Sequence, residues 1–250
     1  MALIQTDITR ETRRRLTWAA QRGALGGFAR AAVVGCFGVM ALAFALPGAT
    51  PAAIAIAVLF YVVAARLAGR SLRRAYPHDR LGLCNHVTLT RLILTCALLA
   101  PFLASSAPSW AFFTVAAVAL ALDGVDGWLA RRQGLVSTFG ARFDVEVDSL
   151  LALLLAFNAA LNTEIGWAAA LLGLPRYAFA GASLALPWLS RTLPERFSRK
   201  VVCVLQLATL IALQAPLVPP QVAMLFVPMV AVALIWSFAV DIFWLWRSRA

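Results

Sequence analysis

The chain has 250 residues, 62% of them hydrophobic and only 13% charged, with a mean hydropathy of +0.83. That balance excludes a soluble globular domain and predicts an all-α, polytopic membrane protein. The net charge of +11 is carried by arginine everywhere except Lys200, which points to cytoplasmic loops and anionic lipid headgroups rather than to nucleic acid.

Residues 1–28 form a polar, basic segment containing Arg10, Arg13, Arg14, Arg15 and Arg22. It reads either as a helix lying on a membrane surface or as a solvated tail that sets topology. Two apolar runs follow, at 29–47 and 51–68, each near the roughly 20 residues that a helix needs to cross the hydrocarbon. Pro47 and Gly48 mark the turn between them. A basic linker with Arg66, Arg70, Arg73, Arg74 and Arg80 closes this region at residue 80. Further apolar runs lie at 87–106, 109–130, 145–162, 165–189, 201–217 and 220–246. The expected architecture is therefore a six-helix transmembrane core over 81–250, preceded by two N-terminal transmembrane helices.

Charge placement orients this chain. The turns near 47–51, 105–109, 162–165 and 216–220 hold no Lys or Arg, whereas the alternate connections are rich in arginine. By the positive-inside rule both termini lie on the cytoplasmic side. Cys36, Cys84, Cys96 and Cys203 fall in or beside apolar runs with no CxxC spacing and read as small hydrophobic residues.

The polar centre of the sequence is DGVDGWLARRQGLVSTFGARFDVEVD, residues 123–148, which holds five of the chain's 11 acidic residues. Asp123 and Asp126 are spaced for one face of the helix that ends there, and Asp144 and Asp148 for one face of the next. A short polar connection makes the two helices antiparallel neighbours, so the carboxylates are expected to converge at the cytoplasmic interface. Acidic groups beside a membrane core are costly unless compensated. Oxygen ligands without a His or Cys cluster favour Mg²⁺ or Mn²⁺ over zinc. Four carboxylates suffice for two ions about 3.5–4 Å apart, an arrangement that clamps a phosphoryl group.

The neighbours suit that chemistry. Gly127 and Ala130 keep one helix slim, Gly140 lowers the facing wall, and Arg131 offers a planar fork for phosphate. Taken singly, Gly140 reads rather as a packing contact and Arg131 as a snorkelling residue.

The full pattern is Asp123, two residues, Asp126-Gly127, two residues, Ala130-Arg131, eight residues, Gly140, three residues, Asp144, three residues, Asp148. It resembles the signature of the CDP-alcohol phosphotransferases at every fixed position. The resemblance implies transfer of a substituted phosphate from a CDP-linked donor, such as CDP-diacylglycerol, to a small alcohol acceptor, with release of CMP. It implies that Asp123, Asp126 and Asp144 hold the metals, and that Asp148 is the general base and touches the second ion. Gly127, Ala130, Arg131 and Gly140 would line the CDP site. Asn85, Thr88 and Arg91 resemble the opening of the family's first core helix. Lys200 and Gln206 resemble a later basic element in which Cys203 stands where a Thr is usual.

Arg91, Arg142 and Arg176 are candidates for binding the acceptor and lean toward an anionic one. Val145, Glu146 and Ser149 depart from the pattern common in glycerophosphate-type members. Glu146 is about 200° round the helix from Asp144 and falls outside the expected metal site. His78, His86 and Asp241 read as interfacial. The implied setting is a bacterial inner membrane with the cleft on the cytoplasmic side, and a homodimer is common in such proteins. The alternative is a cation transporter or channel, which requires acidic residues continuing across the bilayer; here they stop at one face.

Overall fold

A computed structural model of the chain describes the backbone over residues 2–105, 109–191, 193–194 and 196–248, and side chains within those ranges from residue 23 onward. The side chains of Arg10, Arg13, Arg14, Arg15 and Arg22, most of the SSAPS turn and Arg249 lie outside the described residues. The described chain is all helical. Its elements are α1 (Ala2–Ala45), α2 (Pro51–Ala75), α3 (Gly82–Ala97), α4 (Leu99–Leu103), α5 (Trp110–Gln133), α6 (Thr138–Asn162), α7 (Ala170–Gly173), α8 (Pro175–Ala185), α9 (Phe197–Ala212) and α10 (Pro220–Arg247).

Local signals set the boundaries. Thr50 caps α2 through the amide of Ala53, and Pro51 occupies the first turn, where its missing N–H costs nothing. Ser109 caps α5 in the same way through Phe112 N. At the other end of α5, Gly134 adopts a left-handed conformation with φ 65°, which glycine reaches without strain. Ser137 then caps α6 by accepting from Gly140 N at 3.0 Å. Only three residues, 134–136, separate the end of α5 from that cap, so α5 and α6 turn back sharply on each other.

Among the described residues, five helical stretches are long and apolar enough to cross a membrane: Gly23–Ala45, Pro51–Ala75, Gly82–Leu103, Trp110–Gln133 and Pro220–Arg247. The stretch Gly166–Gly173 and Pro175–Ala185 forms a sixth only if taken as one span bent by 52°. The expected count of six plus two is thus met only in part. Every expected apolar run does carry helix, but α9 is short at 16 residues, and α6 turns most of its apolar residues into the bundle. The basic N-terminal segment is not set apart from the first span: α1 runs unbroken from Ala2 to Ala45.

α3 lies at the centre. It packs along α5 over most of its length and also touches α1, α2 and α6. Its buried face includes Leu89, Leu92 and Cys96, but also Asn85, Thr88 and Arg91. At its start Gly82 has φ 75° and stands where a Cβ would come within 2.4 Å of Leu135 Cδ1. The close approach lets the linker fold against the α5–α6 turn. Tyr76 secures the same corner: Asn85 Nδ2 donates to its hydroxyl at 3.2 Å, and that hydroxyl reaches the carbonyls of Arg80 and Leu81. Burial pushes the Tyr76 hydroxyl up to about 12, so it keeps its proton across the physiological range.

Gly173 makes the other close approach. A Cβ there would lie 2.6 Å from Ala156 Cβ, so only glycine lets α7 rest against α6 at this distance. The bend at Pro175 then carries Arg176 toward the first half of α6.

Candidate active site

The last turns of α5 carry Asp123 and Asp126, and the first turns of α6 carry Asp144 and Asp148. Spacings of three and four residues place each pair on one helix face, and the tight turn brings the faces together. Both faces look onto α3, and Arg91 of α3 stands between them. Its Nη1 contacts Asp126 Oδ2 at 2.9 Å and also reaches Asp144. Its Nη2 contacts Asp123 Oδ1 at 3.0 Å and also reaches Asp148. Nε donates to the carbonyl of Ala119 at 3.1 Å. All three guanidinium nitrogens are therefore used, and Arg91 has 0% exposure.

This arrangement solves one electrostatic problem and leaves another. A buried guanidinium needs partners, and planar geometry suits it to several carboxylates at once. Four carboxylates, however, carry up to four negative charges against one positive charge. Oxygens of Asp123, Asp126 and Asp144 all lie within 4.8 Å of one another. Two oxygens on one hard cation are separated by at most roughly 4–5 Å, twice a metal–oxygen distance of about 2.0–2.6 Å. The donor set, its spacing and its excess charge all fit divalent, oxygen-seeking ions. Asp148 lies outside that group of three and joins it through Arg91. The Thr88 hydroxyl, 2.9 Å from Asp126 Oδ2, holds the most buried of the four carboxylates in place.

Two cavities meet at the aspartates. The larger, about 650 Å³, is lined by Asp126, Gly127, Ala130, Arg131, Gly140 and Asp144, and also by Arg196, Arg199 and Lys200. A Cβ on Gly140 would stand 3.2 Å from Ser137 Oγ and 3.4 Å from Asn85 Oδ1. A Cβ on Gly127 would stand 3.6 Å from Arg131 Nη1. Larger side chains at either position would project into the cleft. The smaller cavity, about 120 Å³, is lined by Asp148, Ser149, Arg176, Cys203, Gln206 and Phe238 among others. At about 30 Å³ per water molecule it has room for roughly four. The carboxylates thus stand between a large chamber and a small one.

The arginines singled out in the sequence part company here. Arg91 is sealed beneath the carboxylates and lines neither chamber. Arg142 points the other way, into a separate cavity of about 490 Å³ between α2 and α6. Arg176 does line the small chamber, and its Nη2 donates to Glu146 Oε1 at 3.0 Å. Glu146 lies away from the metal-type cluster, as its angle round α6 requires. Asp241, expected at the interface, is instead buried at 5% exposure, and Arg196 and Arg199, to which the sequence assigns no role, both reach it at 3.1 Å. A lone acid in a long apolar run is itself the signal that a cation must be near.

A model of the CDP-alcohol phosphatidyltransferase family matches residues 81–242, which covers α3 to most of α10. No curated protein and no solved structure matches the chain.

Proposed function

The chain belongs to the CDP-alcohol phosphatidyltransferase family, and on that premise we propose that it transfers a phosphatidyl group from CDP-diacylglycerol, or a similar CDP-linked lipid, to a small alcohol. CMP is the second product, and the reaction serves phospholipid synthesis. The observation that carries this reading is the position of the aspartates between a chamber of about 650 Å³ and one of about 120 Å³. The first falls within the roughly 300–1,000 Å³ usual for ligand sites and suits a nucleotide. The second suits the hydroxyl end of a small acceptor.

In this reading Asp123, Asp126 and Asp144 hold Mg²⁺ or Mn²⁺, with Asp148 contributing to a second ion. When bound, the ions offset the charge of the diphosphate and of the departing phosphate. Gly127, Ala130 and Gly140 let the cytidine lie against the helices, and Arg131 pairs with phosphate. Arg176 borders the acceptor. Arg91, wholly buried, keeps the four carboxylates aimed inward; that assignment replaces the acceptor contact expected of it from the sequence. Arg142, facing another cavity, is left out of the acceptor site.

Asp148 takes the proton from the acceptor hydroxyl as its oxygen bonds to the lipid-bearing phosphorus. The bond from that phosphorus to the bridging oxygen breaks, and CMP leaves with the electron pair. Atoms and charge balance without any further reactant. The arginine-rich segments support a cytoplasmic site on an inner membrane, with the donor entering from the lipid and the acceptor from water.

The test is a purified preparation in lipid nanodiscs, supplied with CDP-diacylglycerol and a panel of small alcohols. CMP release and a new phospholipid mass, present with Mg²⁺ or Mn²⁺ and abolished by chelation, are the expected results. A folded protein that releases no CMP with any acceptor, yet passes divalent ions into vesicles, would instead be a cation transporter.

A further inference from the structure

The large chamber that Asp126 and Asp144 line is lined also by Arg196, Arg199 and Lys200. Arg196 is the residue before α9, and Arg199 lies in its first turn. Two long, flexible side chains at a helix start have no intrinsic reason to point into a cleft. Asp241, two turns from the end of α10, gives them one. Its Oδ1 takes Arg196 Nη1 at 3.1 Å, and its Oδ2 faces Arg199 Nε at 3.1 Å. Each oxygen thus faces a different arginine, Arg196 through a hydrogen bond and Arg199 through an ion pair whose Nε is not aligned to donate. The second nitrogens of the pair are anchored as well, Arg196 Nη2 on Ser198 Oγ at 3.3 Å and Arg199 Nη2 on the carbonyl of Pro194 at 2.6 Å.

Asp241 itself is 5% exposed and does not line the cleft. A carboxylate buried in an otherwise apolar helix is costly, and a whole buried ion-pair network replaced by apolar residues is often no less stable. Its placement makes sense if the arginines it fixes do something. The two guanidinium groups share one carboxylate, so the pair retains one net positive charge, beside Lys200, in a cleft that Asp126 and Asp144 also line. That is the arrangement for a phosphate held in the cleft, with its charge divided between the arginines and the aspartate cluster.

We propose that Asp241 is a positioning residue that holds Arg196 and Arg199 as a preorganised phosphate subsite in the cleft that Asp126 and Asp144 also line. The proposal rests on the transferase reading. The phosphate belongs either to the diphosphate of the CDP-linked donor or to a phosphorylated acceptor, and the geometry serves both. Preorganisation is what Asp241 adds: without it, two arginine side chains must be ordered when the ligand binds.

The experiment compares wild type with Asp241→Asn and Asp241→Glu, each first shown to unfold at a normal temperature in detergent. One arm measures binding of CDP and of cytidine in Mg²⁺. The other measures KM for sn-glycerol 3-phosphate and for glycerol in whichever reaction the wild type supports. Asp241→Asn is expected to weaken binding of the phosphorylated member of one pair by about tenfold, equivalent to roughly 1.4 kcal/mol. The unphosphorylated member should be unaffected, and Asp241→Glu should recover part of the loss. The arm that responds identifies the source of the phosphate. A double-mutant cycle adds a readout that a merely structural role would not move. In an Arg196→Gln/Arg199→Gln background, Asp241→Asn should have no further effect on phosphate binding. If Asp241→Asn does not accumulate, Arg199→Gln alone, compared on the same two pairs, replaces it. Equal binding of all four ligands by wild type and variant, or additive losses in the cycle, overturns the proposal. A wild type that neither binds CDP nor releases CMP overturns the transferase reading instead.

Discussion

Arg91 on α3 and Asp126 on α5 meet at 2.9 Å, and neither has more than 4% of its surface exposed. The contact ties the helix that opens the family-matched region to the helix that begins the aspartate motif. Removing one partner of a buried charged pair typically costs about 3–5 kcal/mol, because the other charge stays behind unpaired. Here the loss is multiplied, since Arg91 is the counterion to four carboxylates.

Arg91→Met should therefore lower the unfolding temperature sharply in chelator. Divalent ions should then restore more stability to the variant than to wild type, because they supply charge that the arginine no longer provides. Thermal unfolding in EDTA against Mg²⁺, for both proteins, measures the difference. Equal metal responses would mean that the carboxylates do not share one site with Arg91.

Asp148 separates from its three companions in place, and the proposed mechanism gives it a separate role. It borders the small chamber, while Asp126 and Asp144 border the large one. Asp148→Asn should retain CDP binding within a few-fold but lose turnover by about 10²–10⁴, the usual contribution of a general base. Binding of CDP and the rate of CMP release, measured on the same preparation, separate the two effects. Near-normal turnover would reassign the base.

The aspartate motif was legible because helical spacing fixes faces. Three and four residues between acids on adjoining antiparallel helices leave little freedom in where they point. The arginines were not legible for the opposite reason. Each has a long side chain, and its partner lies far off in sequence: 53 residues for Arg91 and Asp144, 30 for Arg176 and Glu146, 45 for Arg196 and Asp241. An apolar run reveals a helix but not which helix its polar exceptions will meet. Asp241 therefore looked interfacial, and Arg142 looked like an acceptor ligand although it faces the cavity beside α2. The continuity of α1 was hidden for a simpler reason: its polar and apolar halves differ in composition, and composition says nothing about whether a helix breaks between them.

Gly127 and Gly140 face the large chamber from opposite helices. A side chain at 140 meets Ser137 Oγ at 3.2 Å before it reaches the cleft, and one at 127 meets Arg131 at 3.6 Å. Gly127→Leu should raise the donor KM about tenfold, equivalent to roughly 1.4 kcal/mol. The acceptor KM and the unfolding temperature should scarcely change, since the added atoms enter a cleft rather than a packed core. Steady-state kinetics with donor and acceptor varied separately check this. A matching rise in both KM values would point to a general distortion of the α5–α6 pair.

The ion pair of Arg176 and Glu146 is half open to solvent, with side-chain exposures of 35% and 64%. An exposed pair of this kind contributes little stability, roughly 0–1 kcal/mol. Its consequence lies in the small chamber, which Arg176 lines together with Asp148. In the proposed acceptor site, Glu146 would draw off part of the charge that Arg176 offers. Glu146→Gln should leave the unfolding temperature unchanged and release that charge. The KM of an anionic acceptor should then fall, while that of a neutral one stays constant. Arg176→Gln should act in the reverse sense. Measuring both acceptors in both variants decides the matter, because a chamber that does not hold the acceptor would show no dependence on acceptor charge in either.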